Sequence, residues 1–336
     1  MAASVTQPRQ SITVPTLYQY DPDIGHRFIP NLKLRVPTES GGYLLRTNSI
    51  GFRNDKEFGN EPGRRRILIF GDSFTAGDGV SNGHRYSDVL ERLLGAEAVE
   101  IHNFGLSGTG TDQQYLVYRK FAAGAGNSIV VMGVLVENIR RNVSAFRPSV
   151  NPGEREHFIA KPYFELQNGQ LLRRHDPVPP GVVTAAELEG ESKLDTGGRY
   201  PELRRMVQSL GLQDVVQRLT HYQPTPEYDS NTNAAWLLMR AILLEWKNLI
   251  EGPAVLFPIP LYHHLEETAS PDSYRARFAE LATEGGFILH DPLDDLRRYD
   301  LAERRAFRFR NDVHLTPAGH RALAGSLAKC LRRLLD

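Results

Sequence analysis

The sequence predicts a three-layer α/β/α fold, in which a five-stranded, mainly parallel sheet lies between two layers of helices. From residue 65 onward, short and nearly continuous apolar runs alternate with stretches of helical spacing. Apolar runs of this kind are typical of parallel strands, because helices cover both faces of a parallel sheet. The 336 residues are also enough to enclose a sizeable core.

Each predicted element rests on a local pattern. The strands are predicted where short apolar runs occur, at 66–70, 99–104, 128–136, 254–260 and 287–291. The helices are predicted where apolar residues recur at helical spacing, at 86–95, 112–123, 234–250, 274–286 and 316–335. Pro317 suits the first turn of the last helix, because the N–H that proline lacks has no helical partner there.

Two segments do not follow this alternation. Residues 1–60 are rich in proline, glycine and aromatic residues, and they predict an N-terminal extension packed on the core. Within it we expect a few short strands, one of them over 43–53 with a turn at Asn48–Gly51. The remaining domain, 61–336, contains an insertion at 145–232 with helical fragments near 202–221. Such an insertion is either decoration or a lid or substrate wall.

Composition excludes several classes of protein. The chain has 40 basic and 40 acidic residues, which argues against a basic surface for nucleic acid. No run approaches the ~18 apolar residues of a membrane span. Cys330 is the one cysteine, so no intrachain disulfide can form. The N-terminus shows no signal peptide, and we therefore expect a cytoplasmic protein. The sequence does not indicate an oligomeric state.

Chemically capable residues follow the predicted strands. Ser73 follows the first strand in "GDSFT", Gly108 the second in "NFGLSGTGT", and Asn138 the third in "ENIRRN". Asp312 and His314 follow the fifth strand, beyond a short helix, in "FRNDVHLTPAGH". Ligands of open α/β sheets bind beyond the carboxyl ends of the strands. Together these residues offer the nucleophile, base and oxyanion donors of acyl transfer, although Gly-Asp-Ser alone is more often a turn and helix N-cap than a nucleophile.

The four segments, in this order, resemble the sequence blocks of the SGNH (GDSL-type) hydrolase superfamily. The matching blocks are "GDSFTAGDGV", "NFGLSG", "GVLVENI" and "NDVHLTPAGH", and the resemblance covers residues 44–145 and 306–330. It implies a flavodoxin-like fold, with Ser73 as nucleophile and His314 as base. It also implies an oxyanion hole formed by the Ser73 and Gly108 amides and the Asn138 carboxamide. We expect no cofactor and no metal.

Two positions depart from the family's pattern. Asn138 is followed by Ile139, where the family usually has Asp. The position three residues before His314, where the family has its acid, is Asn311 here, and the acid is Asp312. Because a neutral Asn cannot stabilise the imidazolium that forms during proton transfer, we predict Asp312 as the acid of the triad. The alternative is a Ser–His dyad supported by a backbone carbonyl.

The resemblance implies a serine esterase that hydrolyses an acyl ester, such as an acetyl ester, of a carbohydrate or small metabolite through an acyl-Ser73 intermediate. One alternative is a soluble O-acyltransferase, in which an alcohol replaces water. Another is a binding module that keeps the fold without the chemistry. The expected partner is the ester substrate, without nucleic acid.

Other polar residues have simpler interpretations. Asp72 is expected to shape the turn around Ser73 rather than to act chemically. His263 and His264 are adjacent and lack a third ligand at suitable spacing, so we expect them at the rim of the pocket rather than in a metal site. The arginine-rich segments 140–147 and 297–310 are expected to be solvated faces, with attraction of an anionic substrate as the alternative.

Overall fold

The computed structural model describes residues 16–38, 41–59, 61–151, 157–188 and 222–336. Its strands are β1 (Tyr18–Asp21), β2 (Gly25–Phe28), β3 (Lys33–Val36), β4 (Tyr43–Arg46), β5 (Arg65–Gly71), β6 (Val99–Asn103), β7 (Ile129–Leu135), β8 (Phe146–Pro148), β9 (Phe158–Ala160), β10 (Tyr163–Gln167), β11 (Gln170–Arg174), β12 (Val182–Val183), β13 (Ala254–Ile259) and β14 (Ile288–Leu289). Its helices are α1 (Ser73–Ala76), α2 (Tyr86–Leu94), α3 (Thr111–Phe121), α4 (Asn138–Asn142), α5 (Ala234–Asn248), α6 (Tyr262–Leu265), α7 (Asp272–Gly285), α8 (Leu293–Leu296), α9 (Leu301–Arg305) and α10 (Pro317–Leu335), with a 3₁₀ turn at Pro226–Tyr228.

The central sheet has the strand order β6–β5–β7–β13–β14, and every neighbouring pair is parallel. The predicted five-stranded α/β fold is therefore confirmed. Counted along the chain, the order is 2-1-3-4-5, as in flavodoxin-like sheets, whose ligand site lies between the first and third strands. Here those strands are β5 and β7, and β7 is buried over its whole length.

Helices pack on this sheet in two groups. α2 contacts α10, whereas α3, α4 and α5 contact one another. Aromatic side chains join strands to helices: Phe70 of β5 lies edge-on to Trp246 of α5 at 5.3 Å, and Phe257 of β13 lies 6.2 Å from Tyr86 of α2. These apolar contacts explain why the strands are uninterrupted apolar runs.

All ten predicted core elements are present, with ends that differ by a few residues. The last strand is the shortest and spans only Ile288–Leu289. The strand predicted over 43–53 spans only Tyr43–Arg46. The turn predicted at Asn48–Gly51 is present, because Asn48 Oδ1 accepts a hydrogen bond from Phe52 N (2.9 Å) and Gly51 has φ +78°. The one-turn helices α1 and α4 and the small antiparallel sheets of β8–β12 were not predicted. The helical fragments predicted near 202–221 lie outside the described residues.

The N-terminal segment makes polar contacts with the loops of the central sheet. His26 Nε2 lies 2.9 Å from Ser107 O, and Gln113 Nε2 donates to Ile24 O at 2.7 Å. The fully buried Arg53 donates to Gly77 O at 2.6 Å and to Val80 O at 2.8 Å. The division into extension, core and insertion stays a prediction, but hydrogen bonds join the N-terminal segment to loops that follow β5 and β6. Within the described parts of the chain, no helix is long and apolar enough to cross a membrane.

Candidate active site

The predicted nucleophile, Ser73, is the first residue of α1, directly after β5. Asp72 is the N-cap of this helix, and its side chain accepts from Phe74 N at 3.0 Å. The preceding turn needs a glycine at position 71, since a Cβ there would lie 2.7 Å from Thr75 Cβ. Only 5% of Ser73 is exposed. The tight turn therefore presents Ser73 at the carboxyl end of the sheet, with its backbone N–H in the first helical turn, where such groups have no helical partner.

A row of hydrogen bonds connects Ser73, His314 and Asp312. Ser73 Oγ lies 2.8 Å from His314 Nε2, and His314 Nδ1 lies 2.6 Å from Asp312 Oδ1. Asp312 Oδ1 also accepts from the His314 backbone N at 3.1 Å. Because a carboxylate only accepts, we assign the ring proton to Nδ1, which leaves Nε2 free to accept from the Ser73 hydroxyl. A serine nucleophile with its base and acid would have this geometry, and these three roles stay predictions.

The surroundings of His314 favour its protonated form. Burial of the ring disfavours the imidazolium, but the hydrogen bond to Asp312 and the negative charges of Asp78 and Asp72 outweigh burial and raise the pKa of His314 above its ordinary value. Asp78 was not predicted to belong to the site. Its Oδ1 accepts from Ser107 Oγ at 2.7 Å, so it lies beside the loop that contains Gly108.

The loop of Gly108 lies directly against α1. Leu106 N donates to Gly71 O at 3.0 Å, and a Cβ on Gly105 would lie 2.6 Å from Thr75 C. Gly108 itself has φ +76°, a conformation that favours glycine, and a Cβ there would lie 2.6 Å from Arg147 Cζ. The Gly108 backbone therefore lies close to the Arg147 guanidinium, and its role as an amide donor stays a prediction.

Asn138 is fully buried at the start of α4, after β7. Among the described residues, neither its Oδ1 nor its Nδ2 has a hydrogen-bond partner. A buried polar group left without a partner costs about 1–3 kcal/mol, and such exceptions in native proteins call for an explanation. Donation to a substrate oxyanion would explain the unpartnered Nδ2, although it would leave Oδ1 without a donor. The structure thus places Ser73, Gly108 and Asn138 after three adjacent strands, although their role as oxyanion donors stays a prediction.

The solvated-face interpretation of the arginine-rich segments is wrong for several of their residues. Arg141 Nη1 donates to Asp72 Oδ2 at 2.9 Å and to Thr109 O at 3.1 Å. Arg304 is 8% exposed and donates to Leu265 O at 2.6 Å. These guanidinium groups reach backbone and carboxylate acceptors that only the tertiary structure brings near them. No local sequence signal distinguishes such residues from solvated arginines.

The two adjacent histidines are buried rather than placed at a rim. They belong to α6, where His263 is 3% exposed and His264 is 0% exposed. Burial and the charges of two nearby arginines lower the pKa of His264 to about 3, so its ring is neutral at physiological pH. In the described ranges, no group of three or more His, Cys, Asp or Glu residues is arranged to hold a metal ion.

Comparison with known proteins bears on the family. The model of the GDSL-like Lipase/Acylhydrolase family matches residues 69–322. No curated protein matches the sequence. Among solved structures, a member of the lipolytic protein G-D-S-L family from Veillonella parvula has 14% identity and a TM-score of 0.41, and the match covers 80% of this chain and 99% of that one. An acetylxylan esterase from Geobacillus stearothermophilus has 15% identity and a TM-score of 0.43, with 80% of this chain and 95% of that one covered. These values are too low for either structure to indicate what this chain acts on.

Proposed function

Because the chain belongs to the GDSL-like lipase/acylhydrolase family, we propose that it is a serine esterase that forms an acyl-Ser73 intermediate. The observation that supports this proposal most is the hydrogen-bonded row from Ser73 Oγ through His314 to Asp312, with distances of 2.8 and 2.6 Å. Family membership alone indicates activity on esters. The row of side chains supports Ser73 as the nucleophile and His314 as the base.

In the proposed acylation, His314 Nε2 removes the Ser73 proton while Oγ attacks the ester carbonyl carbon. The carbonyl electrons move onto oxygen, and the oxyanion accepts hydrogen bonds from the Ser73 and Gly108 amides and from Asn138 Nδ2. Each such donor typically contributes about 10²–10³ in rate. The imidazolium then gives its proton to the leaving alcohol as the ester C–O bond breaks, and the acyl group remains on Ser73.

Deacylation repeats these steps with water. His314 takes a proton from a water molecule whose oxygen attacks the acyl carbon, and the same three donors hold the second oxyanion. The C–Oγ bond breaks, Ser73 regains its proton from His314, and the free acid leaves. An alcohol in place of water would give the transferase reaction through the same intermediate.

We favour Asp312 over Asn311, and over a Ser–His dyad, as the support of His314. The Asp312 carboxylate lies within hydrogen-bond distance of His314 Nδ1, and its negative charge favours the imidazolium form of His314. The Asp312 side chain is 52% exposed, so solvent screens this charge more than in a buried triad. Asp312 should therefore contribute less to the rate than a fully buried acid.

The immediate neighbours of Gly108 favour a polar substrate. Ser107 hydrogen-bonds Asp78, and the Arg147 guanidinium lies against Gly108. Arg147 is in β8, at the start of the insertion 145–232, and this contact supports the proposal that the insertion forms a wall of the substrate site. Charged groups beside Gly108 suit a short acyl group on a polar alcohol, such as a carbohydrate, better than a long acyl chain.

A screen of chromogenic esters tests the proposed substrate class. Acetate, butyrate and octanoate esters of one chromogenic alcohol would be compared with acetylated sugars. We expect Ser73-dependent hydrolysis that falls as the acyl chain lengthens. A preference for octanoate would contradict the polar site. Faster formation of acylated acceptor than of free acid, in the presence of an added alcohol, would favour the transferase.

A further inference from the structure

We propose that Arg141 is a positioning residue that holds the three oxyanion donors in place relative to one another. The proposal rests on the proposed function, and it assigns a role to a side chain that does not touch the reacting atoms. It comes from the observation that the guanidinium group of Arg141, which lies on α4 with Asn138, hydrogen-bonds to the residue before Ser73 and to the residue after Gly108.

Arg141 lies in α4, three residues after Asn138, and therefore on the same short helix. Its Nη1 donates to Asp72 Oδ2 at 2.9 Å and to Thr109 O at 3.1 Å. Asp72 directly precedes Ser73, and Thr109 directly follows Gly108. The two residues that Arg141 contacts are thus each next to a predicted oxyanion donor, Ser73 or Gly108. The third predicted donor, Asn138, is the first residue of the helix that contains Arg141.

The link through Asp72 continues into α1. Asp72 is fully buried; its Oδ2 accepts from Arg141, and its Oδ1 accepts from Phe74 N at 3.0 Å. Burial raises the pKa of Asp72, and the charge of Arg141 opposes this rise. A buried carboxylate that loses its partner is destabilised, because desolvation is no longer compensated. Loss of Arg141 would therefore also disturb the cap that orients Ser73.

The loop of Gly108 also packs closely on α4. A Cβ on Gly110 would lie 3.1 Å from Arg141 Cβ and 2.9 Å from Asn142 Oδ1, so a larger residue there would crowd these side chains. Asp112 N donates to the same Asn142 Oδ1 at 3.3 Å. Both contacts come from Nη1, whose two hydrogens can serve the Asp72 carboxylate and the Thr109 carbonyl together. A lysine ammonium also has enough hydrogens for both acceptors but sits on a shorter, more flexible side chain, so we expect it to replace the arginine only in part.

Removal of Arg141 is expected to act mainly on kcat. The oxyanion donors bind the transition state more tightly than the ground state, so a displaced donor lowers the rate of chemistry more than it weakens substrate binding. A purely structural role would instead lower stability and leave kcat per folded molecule unchanged.

The test compares R141K and R141M with R140M. Arg140 is a matched control, because it lies on the same helix but pairs with Glu227 through a 2.7 Å contact of its Nε. Full-length variants would be assayed on a chromogenic acetate ester, with folding checked by circular dichroism. We expect R141M to lower kcat about 10- to 100-fold and to change KM less than about 3-fold. We expect R141K to lower kcat less than R141M does, and the kcat of R140M to stay within about 3-fold of wild type.

A double mutant separates positioning from structure. If Arg141 acts through the donors, R141M should cost less in the N138A background than in wild type, since one donor is already absent. The proposal is overturned if R141M and R140M have the same kcat, or if the R141M and N138A losses simply multiply. If the folded wild-type protein neither hydrolyses esters nor reacts with a fluorophosphonate at Ser73, the proposed function is overturned as well. If the wild-type protein is active and R141M is unaffected, only this inference is overturned.

Discussion

Replacement of Asp312 by Asn removes the charge that supports His314 and keeps the size of the side chain. In the structure, Asp312 Oδ1 lies 2.6 Å from His314 Nδ1, and the Asp312 side chain is 52% exposed. The charge matters when His314 becomes an imidazolium during proton transfer. D312N should therefore slow the chemical step and leave substrate binding nearly unchanged.

The size of the loss follows from the distance and the exposure. Two unit charges about 4 Å apart attract by about 1 kcal/mol in bulk water and by about 4 kcal/mol at an effective dielectric constant of about 20. A half-exposed pair lies between these limits, at about 2–3 kcal/mol, which corresponds to a loss of about 30- to 200-fold in kcat. A buried triad acid, by comparison, contributes about 10⁴.

The assay is kcat and KM on a chromogenic acetate ester from pH 5 to 9, for wild type, D312N and the control N311A. D312N should also lower the midpoint of the acidic limb, because the Asp312 hydrogen bond and charge help to raise the pKa of His314. N311A should stay within about 3-fold of wild type. A D312N enzyme with wild-type kcat, or a larger loss in N311A, would refute Asp312 as the acid.

Three further predictions concern the same site. N138A should lower kcat by about 10²–10³ with little change in KM, and a loss confined to KM would contradict its role as donor. G108A should lose comparable activity, since φ is +76° and a Cβ would meet a guanidinium; G124A, with φ +78° and nothing within 4 Å, should retain activity. Wild-type kcat/KM should rise with pH through a midpoint above 6.5, because His314 acts as a neutral base and its pKa is raised. A midpoint below 6.5 would show that a different group titrates.

Much of the central sheet could be predicted because a single physical requirement determines it. Parallel strands covered on both faces must be continuous apolar runs, and the five runs found in the sequence are the five strands of the sheet. The position of Ser73 after the first of these strands follows from the same pattern. The same pattern predicts that the loops after the other strands converge with it, since the carboxyl ends of parallel strands share one edge of the sheet.

Two charged residues beside the site, Arg141 and Asp78, could not be predicted from the sequence. Arg141 looks like a residue of a solvated face, because the sequence does not reveal that Asp72 and the Thr109 carbonyl lie next to it. The sequence gives no sign of the role of Asp78 either, since its effect on the pKa of His314 depends on how the loop after α1 folds back. The strands of the insertion, such as Tyr163–Gln167, are short and partly exposed, so they have no clear apolar pattern.

The most direct test of the central claim is the intact mass of the protein after treatment with a fluorophosphonate. We expect one adduct per chain in wild type, none in S73A, and a full adduct in S326A. Ser326 is a matched control, because its buried Oγ also lies 2.9 Å from a histidine nitrogen, His290 Nε2, away from the predicted oxyanion hole. A folded wild type without an adduct, or an S73A variant labelled as fully as wild type, would contradict Ser73 as the nucleophile.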